Sequence, residues 1–241
     1  MGNSLDKLKI KIFADGANVK DMIKLYRDGL VKGFTTNPTL MKKDGVQNYE
    51  AFAKEVLSVI KDLPISFEVF SDDFDLMEKE ARKIQSWGNN VNVKIPITNT
   101  KGELSTGLIK KLSADGMQLN ITAILTLEQV EAVAQAISPE VKSIVSVFAG
   151  RIADTGRDPI PYMKKSYEIL SDLPNAELLW ASPRELLNIF HAEDCGCKII
   201  TVTNDLLKKL SMVDRNLKDL SLDTVKMFAN DAATAGYRIL D

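Results

Sequence analysis

A lysine in the middle of a short apolar run is the residue of this sequence best suited to covalent chemistry. Lys94 stands between Val93 and Ile95, in a run typical of a strand buried on both faces. Loss of hydration disfavours the charged ammonium form, and a neutral amine in a dry pocket can attack a carbonyl carbon to form a Schiff base. A buried ion pair without chemistry would explain a lone strand lysine equally well. The neighbouring polar residues therefore decide between the two interpretations.

Other apolar runs carry polar residues at comparable positions. Side chains alternate along a strand, so the polar residues of each run share one face, opposite branched apolar residues. If the branched residues pack against helices, the polar ones point into a barrel, towards the carboxyl ends of its strands, where barrel active sites lie. The residues of this inferred rim are Asp15, Thr36, Asn37, Glu68, Asn92, Lys94, Asn120, Thr122 and Ser146. Carboxyl groups suited to proton transfer beside the lysine favour catalysis over a silent ion pair.

A second group of polar residues follows the sixth and seventh runs. Arg151 comes directly after Gly150, and Ser182-Pro-Arg184 is predicted to open the next helix. Two guanidinium groups and a hydroxyl near a helix start would suit a phosphate monoester. Taken singly, Ser182 is explained as a helix N-cap, and either arginine as one partner of a surface salt bridge. Their joint position is what favours an anion site.

Eight short apolar runs, each followed by an amphipathic stretch, would position these residues. The predicted strands span 9–14, 33–36, 65–70, 91–95, 119–124, 143–148, 177–181 and 198–202. The predicted helices span 19–30, 49–61, 76–87, 103–112, 127–137, 161–170, 185–193 and 205–210, and a last helix spans 222–240. Residues 126–129 and 182–185 have the form of capping boxes.

The alternation predicts an α/β fold, a (β/α)8 TIM barrel with an additional C-terminal helix. Parallel strands joined by helical crossovers explain the repeated pattern, and about 250 residues is typical of a closed barrel. A doubly wound open sheet is the rival architecture, but its glycine-rich nucleotide loops are missing from the sequence. The lack of a linker predicts one domain over residues 1–241.

Composition excludes several classes of function. The 241 residues carry a net charge of -2, so no basic surplus indicates nucleic acid as a partner. No uncharged apolar run is long enough to span a membrane, and the N-terminus lacks a signal-peptide core, so a cytoplasmic protein is expected. With His191 as the single histidine and Cys195-Gly-Cys197 as the only cysteines, neither a zinc site nor another metal or cofactor is predicted. The Cys195–Cys197 segment is interpreted as a turn, and the cluster Asp72, Asp73 and Asp75 as a solvated helix start.

Seven segments carry a resemblance to a known family. They are Phe13-Ala-Asp15-Gly-Ala-Asn18, Thr35-Thr-Asn-Pro-Thr39, Phe67-Glu-Val69, Val93-Lys-Ile-Pro96, Leu119-Asn-Ile-Thr122, Ser146-Val-Phe-Ala-Gly-Arg151 and Ala181-Ser-Pro-Arg184. In these segments, which run in order through the first seven strands, the sequence resembles the transaldolase family of Schiff-base (class I) aldolases, small-subunit type. The family fold is a (β/α)8 barrel, in agreement with the count of strands.

The resemblance implies a role for each matching residue. Lys94 matches the Schiff-base lysine, and Asp15 matches the acid/base residue for carbon–carbon cleavage. Glu68 and Thr122 match the pair that holds a catalytic water. The other residues implied to bind substrate are Thr36, Asn37, Asn120, Ser146 and Phe148 around the dihydroxyacetone portion, and Arg151, Ser182 and Arg184 at the phosphate. The sequence departs from the common family pattern at two positions, with Gly16 where threonine is frequent and Pro183 where phenylalanine is frequent. We expect Pro183 to tilt the phosphate-binding turn.

Two positions distinguish the activities of the resembling enzymes. Fructose-6-phosphate aldolases carry glutamine at the position of Glu68 and tyrosine at that of Phe148, so both residues favour transaldolase. The resemblance implies transfer of a dihydroxyacetone unit from fructose 6-phosphate or sedoheptulose 7-phosphate to erythrose 4-phosphate or glyceraldehyde 3-phosphate, in the non-oxidative pentose phosphate pathway. The alternatives are an aldolase that releases free dihydroxyacetone and a non-catalytic barrel that binds a sugar phosphate. The resemblance also implies a homo-oligomer, such as a pentamer or decamer.

Overall fold

Eight parallel strands close into a barrel in a computed structural model, which describes residues 4–240. The strands are β1 Lys11–Asp15, β2 Phe34–Thr35, β3 Ile65–Glu68, β4 Val91–Pro96, β5 Leu119–Ile124, β6 Ser143–Val147, β7 Ala176–Trp180 and β8 Ile199–Thr203. Each strand pairs in parallel with the next, and β8 pairs with β1 to complete the ring. The predicted (β/α)8 barrel with a further C-terminal helix is confirmed.

Helices follow the strands around the barrel. They are α1 Val19–Arg27, α2 Pro38–Lys43, α3 Tyr49–Val59, α4 Phe74–Gln85, α5 Thr106–Ala114, α6 Leu127–Ala136, α7 Ala149–Asp154, α8 Ile160–Leu170, α9 Asn188–Asp194, α10 Asn204–Leu207 and α11 Leu217–Ala235. Short 3-10 helices span Ser4–Lys7 and Lys208–Met212. The sequence prediction lacked α2 and α7, whose six residues each are too few to show a helical period.

Side-chain caps fix where several helices begin. Asn18, Asn37, Asn48 and Asp73 each accept a hydrogen bond from a backbone N–H in the first turn of α1, α2, α3 and α4. Such a cap typically contributes about 1 kcal/mol. The cap at Asp73 confirms that the acidic cluster is a helix start.

One predicted capping box is present and the other is not. Thr126 and Gln129 cap α6 reciprocally, as predicted. The box predicted at residues 182–185 is wrong, because α9 begins at Asn188. Ser182 has a φ of 57°, whereas an N-cap residue takes an extended backbone. The Asn188 side chain instead accepts the backbone N–H groups of Arg184 and Glu185.

An apolar cluster lies among side chains that face the inside of the barrel. Phe13, Ile144, Leu179, Ala181 and Ile199 pack together in it. Phe13 stands two residues before Asp15 on β1, and Ile144 two residues before Ser146 on β6, so both pairs share the inward face. The polar rim therefore lies above an apolar layer.

The described chain divides into two compact units. Lys9–Leu207 contains the barrel, and the second unit comprises residues 4–8 and 208–240. In the second unit, the backbone N–H and hydroxyl of Ser4 donate to the carboxylate of Asp214, and Gly236 ends α11 with a φ of 70°. A single domain over residues 1–241 stays a prediction. Within residues 4–240, no helix has both the length and the apolar character needed to cross a membrane.

Candidate active site

A cavity of about 380 Å³ lies at the carboxyl ends of the strands and collects most of the predicted site residues. Those that line it are Asp15, Asn37, Glu68, Lys94, Asn120, Thr122, Ser146, Phe148, Arg151, Ser182 and Arg184. They come from widely separated parts of the sequence, and only closure of the barrel brings them together. Its position matches the end of a TIM barrel where active sites are built.

Thr36 is the predicted site residue whose side chain does not line the cavity. Its hydroxyl donates to the backbone carbonyl of Ser66, and the residue is fully buried. Thr36 instead contributes its backbone carbonyl, which accepts a hydrogen bond of 2.8 Å from Lys94 Nζ. The structure thus places Thr36 beside the lysine as a backbone acceptor.

Lys94 lies on the inward face of β4 and is only 6% exposed. The strand register sets Glu68 of β3 directly beside it, and Lys94 Nζ lies 3.0 Å from Glu68 Oε2. The ion pair considered from the sequence is therefore present. Because both residues line the cavity, the amine and the carboxylate are accessible to a small molecule.

Asp15 is the last residue of β1, and it lines the same cavity as Lys94 and Glu68. Thr35 Oγ1 donates to its Oδ1 at 2.8 Å, and Asn37 Nδ2 to its Oδ2 at 3.4 Å. Burial raises the pKa of the Asp15 carboxyl above its ordinary value, although the positive charge of Lys94 opposes that rise. A raised pKa brings a carboxyl group closer to neutral pH, where it can both accept and donate a proton.

We expect Asp15→Asn to make the protein more resistant to urea at neutral pH. The substitution should also abolish proton transfer by this residue, because an amide does not take up or release a proton near neutral pH. Because the folded-state pKa is raised, ionisation of Asp15 costs stability as pH rises through and above the ordinary carboxyl pKa. Asparagine stays neutral, so the variant's gain in unfolding free energy over wild type should grow from pH 4 to pH 7. Urea titrations at several pH values measure it, with exposed Asp172→Asn as the control. A gain that is constant with pH would contradict this account.

A chain of hydrogen bonds crosses the cavity floor. Ser146 Oγ donates to Asn120 Oδ1 at 2.7 Å, and Asn120 Nδ2 donates to Ser66 Oγ at 3.0 Å. All three residues are buried. The chain fixes the orientation of the Asn120 amide, so hydrogen-bonding groups face the cavity in one arrangement.

An irregularity in β5 alters which residues face the cavity. The pairing with β6 shifts register between Ile121 and Ile124, and Ala123 has a φ of 61°. Adjacent residues of a regular strand point to opposite faces, yet Thr122 and Ala123 both line the cavity. The sequence carries no glycine here that would have signalled the bulge.

Two arginines lie at one end of the cavity, and one of them forms an ion pair while the other does not. Arg184 is paired with Asp154 through Nε–Oδ1 and Nη2–Oδ2 contacts of 2.9 and 2.5 Å. This pairing lowers the pKa of Asp154. Within residues 4–240, Arg151 forms no ion pair, and its guanidinium carbon lies 5.6 Å from the centre of the Phe148 ring. The charge of Arg151 also lowers the pKa of Asp154, but without an ion-pair contact Arg151 can meet an anionic ligand.

Gly150 allows a close approach of two chain segments at this end. A Cβ atom at residue 150 would lie 1.5 Å from the backbone oxygen of Ser182. The backbone N–H of Gly150 also donates to the carbonyl of Ala181 at 3.2 Å. Only glycine permits this contact, which brings Arg151 and Ser182 to the same cavity.

Several site residues were missed from the sequence. Thr35, Thr201 and Thr203 line the cavity, and the hydroxyls of Thr35 and Thr201 contact each other. Threonine is common in strands for its branched shape, so its type gave no signal. Alternation along β8 could have placed Thr201 and Thr203 on the inward face with Ile199.

Tyr49 of α3 was also missed. Its phenol donates to the backbone carbonyl of Glu68 at 3.1 Å and accepts from the Glu68 N–H at 2.7 Å. Burial raises the pKa of this phenol, so it stays neutral and can do both. Tyr49 thus holds the end of β3, and with it the backbone of Glu68.

The remaining chemistry-bearing residues lie outside the cavity. Among residues 4–240, no group of three or more histidine, cysteine or acidic residues could hold a metal ion. Cys195 and Cys197 are buried free thiols, and Gly196 between them has a φ of 80°, which confirms the predicted turn. His191 packs near the ring of Trp180 on the outer layer.

Comparison with known proteins assigns the family. Residues 12–239 match the family described as Transaldolase/Fructose-6-phosphate aldolase. A protein of Listeria monocytogenes named "Probable transaldolase 2" is 35% identical over 83% of this chain and 88% of its own. A "Probable transaldolase" of Methanococcus maripaludis is 35% identical over 83% of this chain and 89% of its own.

A third relative, which aligns with more of the chain, carries a name of the same kind as the first two. A "Probable transaldolase" of Streptococcus pyogenes is 33% identical over 93% of this chain and 99% of its own. The family match over residues 12–239 includes strands β2–β8 and all of β1 except Lys11. By sequence match and by fold, the chain belongs to the transaldolase/fructose-6-phosphate aldolase family.

Proposed function

We propose that the protein is a transaldolase that transfers a dihydroxyacetone unit between sugar phosphates through a Schiff base on Lys94. The observation that carries the proposal is the buried Lys94–Glu68 pair in a cavity that also contains Asp15 and the unpaired Arg151. The names of the relatives support transfer between sugars as the activity. The proposed donors are fructose 6-phosphate and sedoheptulose 7-phosphate, and the acceptors are erythrose 4-phosphate and glyceraldehyde 3-phosphate, in the non-oxidative pentose phosphate pathway.

The proposed reaction begins at the amine. Glu68 takes a proton from the Lys94 ammonium, and the neutral nitrogen attacks the ketose carbonyl carbon to form a carbinolamine. Glu68 returns the proton to the carbinolamine hydroxyl, and loss of one water gives a protonated imine. Glu68, 3.0 Å from Nζ, exchanges protons with that water, which Thr122 helps to hold. Asp15 then removes the proton of the C4 hydroxyl, the C3–C4 bond breaks, and its electron pair moves to the imine as an enamine. The aldose phosphate leaves.

The second half runs in reverse on a different aldehyde. The enamine carbon attacks the aldehyde carbon of the acceptor, and Asp15 returns its proton to the new hydroxyl. Water then hydrolyses the imine and frees Lys94. Asn37 and the Asn120–Ser146 pair are suited to hold the hydroxyls of the three-carbon unit, because their side chains line the same cavity.

A coupled assay separates transferase from aldolase. Purified protein is given fructose 6-phosphate with and without erythrose 4-phosphate, and sedoheptulose 7-phosphate, glyceraldehyde 3-phosphate and free dihydroxyacetone are measured. Turnover that requires the acceptor is expected. Equal release of dihydroxyacetone without acceptor would assign the aldolase activity of the family instead, and no turnover would support a non-catalytic sugar-phosphate-binding barrel.

Arg151→Ala should raise the KM for phosphorylated ketoses about ten- to a hundred-fold. Arg151 is unpaired at the cavity end, and a charge-assisted hydrogen bond contributes about 1.5–3 kcal/mol. Fructose, which has no phosphate, should react with almost unchanged efficiency. Initial rates with both donors measure the effect, with exposed Arg27→Ala as the matched control. Equal losses for both donors would show that Arg151 is structural and that the phosphate binds elsewhere.

A cytoplasmic homo-oligomer, such as a pentamer or decamer, remains part of the proposal. Apolar residues of α11, among them Leu222, Val225 and Phe228, are more than half exposed. Burying such side chains against a second copy would be favourable. Sedimentation equilibrium measures the mass directly, and a monomer at micromolar concentration would overturn this part.

A further inference from the structure

A second cavity opens at the amino-terminal end of the barrel strands, and we infer that it binds a small phosphate-bearing anion. Its volume is about 350 Å³. Lys11 opens β1, Asn92 is the second residue of β4, Glu177 is the second of β7, and Lys142 directly precedes β6. It shares no lining residue with the candidate active site. We call it the lower cavity, defined by these four residues and Lys32.

An apolar layer separates the lower cavity from the candidate active site. Phe13 and Ile144 line the lower cavity, whereas Leu179 and Ala181 line the upper one. All four belong to one buried cluster. A ligand of the lower cavity would therefore meet its own set of polar groups, independent of the proposed chemistry.

The lower cavity carries more positive than negative charge. Lys11, Lys32 and Lys142 face two carboxylates, those of Asp62 and Glu177. Lys11 Nζ is already paired with Glu177 Oε1 at 2.5 Å. Asp62 accepts a hydrogen bond of 2.7 Å from the phenol of Tyr26. Within residues 4–240, Lys32 and Lys142 form no ion pair, so two ammonium groups are available to an anion.

Asn92 is the residue that indicates a ligand. It shares the inward face of β4 with Lys94 and is only 4% exposed. It lines the lower cavity and not the predicted rim, because it lies two residues nearer the start of the strand than Lys94. Its side-chain amide forms no hydrogen bond with any residue in the range 4–240. By contrast, Asn90 Nδ2 donates to the carbonyls of Ile60 and Leu63 at 3.0 and 2.8 Å. The hydroxyl of Ser143, which also lines this cavity, is buried and likewise lacks a hydrogen-bond partner among the described residues. Enclosed polar groups without protein partners are costly unless another molecule satisfies them.

These groups select an acceptor-rich ligand. Ammonium groups only donate hydrogen bonds, and the charge of Glu177 is balanced by Lys11. Asp62 accepts from a neutral phenol and keeps its negative charge, so Lys32 and Lys142 leave the lining with one net positive charge. A phosphate group offers several acceptor oxygens and up to two negative charges, matching Lys32, Lys142 and the Asn92 N–H groups. At about 350 Å³ the cavity has room for more than inorganic phosphate, so a phosphate monoester of a small organic molecule fits best.

Calorimetry tests this inference on the full chain. The titrations use Arg151→Ala protein, because this substitution should weaken phosphate binding in the candidate active site. The two ligands titrated are inorganic phosphate and glycerol 2-phosphate, a simple monoester. In the double variant Arg151→Ala/Lys142→Ala, the Kd for the lower cavity should be at least ten-fold higher than in Arg151→Ala, which corresponds to about 1.4 kcal/mol. Adding exposed Lys110→Ala, the matched control, should leave that site unchanged.

A second substitution guards against misfolding of the first. Asn92→Asp keeps the side-chain shape but replaces the N–H donors by a carboxylate that repels an anion, so it should also weaken binding at least ten-fold. Exposed Asn230→Asp is its control. Tighter binding of glycerol 2-phosphate than of phosphate would identify an organic monoester as the ligand, and the reverse order would identify inorganic phosphate. Absence of binding in Arg151→Ala, or folded Lys142→Ala and Asn92→Asp variants that bind like their controls, would overturn the inference.

Discussion

Lys94→Arg is expected to lower kcat about ten-thousand-fold or more, with the fold intact. Arginine keeps the positive charge beside Glu68 and so preserves the buried ion pair, which lies 3.0 Å apart in the native protein. Its guanidinium stays protonated and cannot act as an amine nucleophile. Loss of an essential nucleophile removes the covalent route altogether. The measurement is the acceptor-dependent assay, with circular dichroism to check the fold.

Lys110→Arg is the matched control for this prediction, because Lys110 is exposed on α5 and lies outside both cavities. It should retain the wild-type rate. A folded Lys94→Arg variant that keeps more than about a hundredth of wild-type turnover would show that the reaction does not pass through an imine on this residue.

Glu68→Gln is expected to slow transfer about a hundred- to a thousand-fold and to increase the share of free dihydroxyacetone among the products. The carboxylate is the only acidic group within salt-bridge distance of Lys94 Nζ among the described residues. An amide cannot exchange a proton with the water that is lost and regained, and general acid–base catalysis contributes about 10²–10⁴-fold. Dihydroxyacetone and sedoheptulose 7-phosphate are measured together over a range of pH.

Glu55→Gln serves as the control, because Glu55 is exposed on α3. Removing one partner of a buried ion pair also costs stability, so the variant must be shown to be folded before its rate is compared. Wild-type transfer rates at every pH, with no additional dihydroxyacetone, would refute the proposed role of Glu68.

The barrel could be predicted because its strands are short, apolar and regularly spaced. The predicted range 119–124 coincides with β5, and the predicted start of β4 at Val91 is correct. The six-residue helices α2 and α7 were not predicted, because they contain too few residues to show a period. The start of α9 was misplaced because Ser182 has the type of an N-cap residue, while its backbone is left-handed.

The site could be predicted where a strand is long enough to fix its alternation. β4 has six residues, so the inward direction of Lys94 follows from its neighbours. β2 has only two residues, so alternation could not show that the side chain of Thr35, and not that of Thr36, lines the cavity. The bulge at Ala123 and the pairing of Arg184 with Asp154 depend on tertiary contacts that residue types alone do not reveal.

Reductive trapping tests the central claim most directly. The protein is incubated with fructose 6-phosphate, reduced with borohydride, digested and analysed by mass spectrometry, beside a sample without sugar and a sample of Lys94→Arg. Reduction converts the imine to a stable secondary amine. A sugar-derived adduct is expected on Lys94, dependent on the ketose and missing from Lys94→Arg. An adduct on a different lysine, or none in protein that turns over substrate, would contradict this claim.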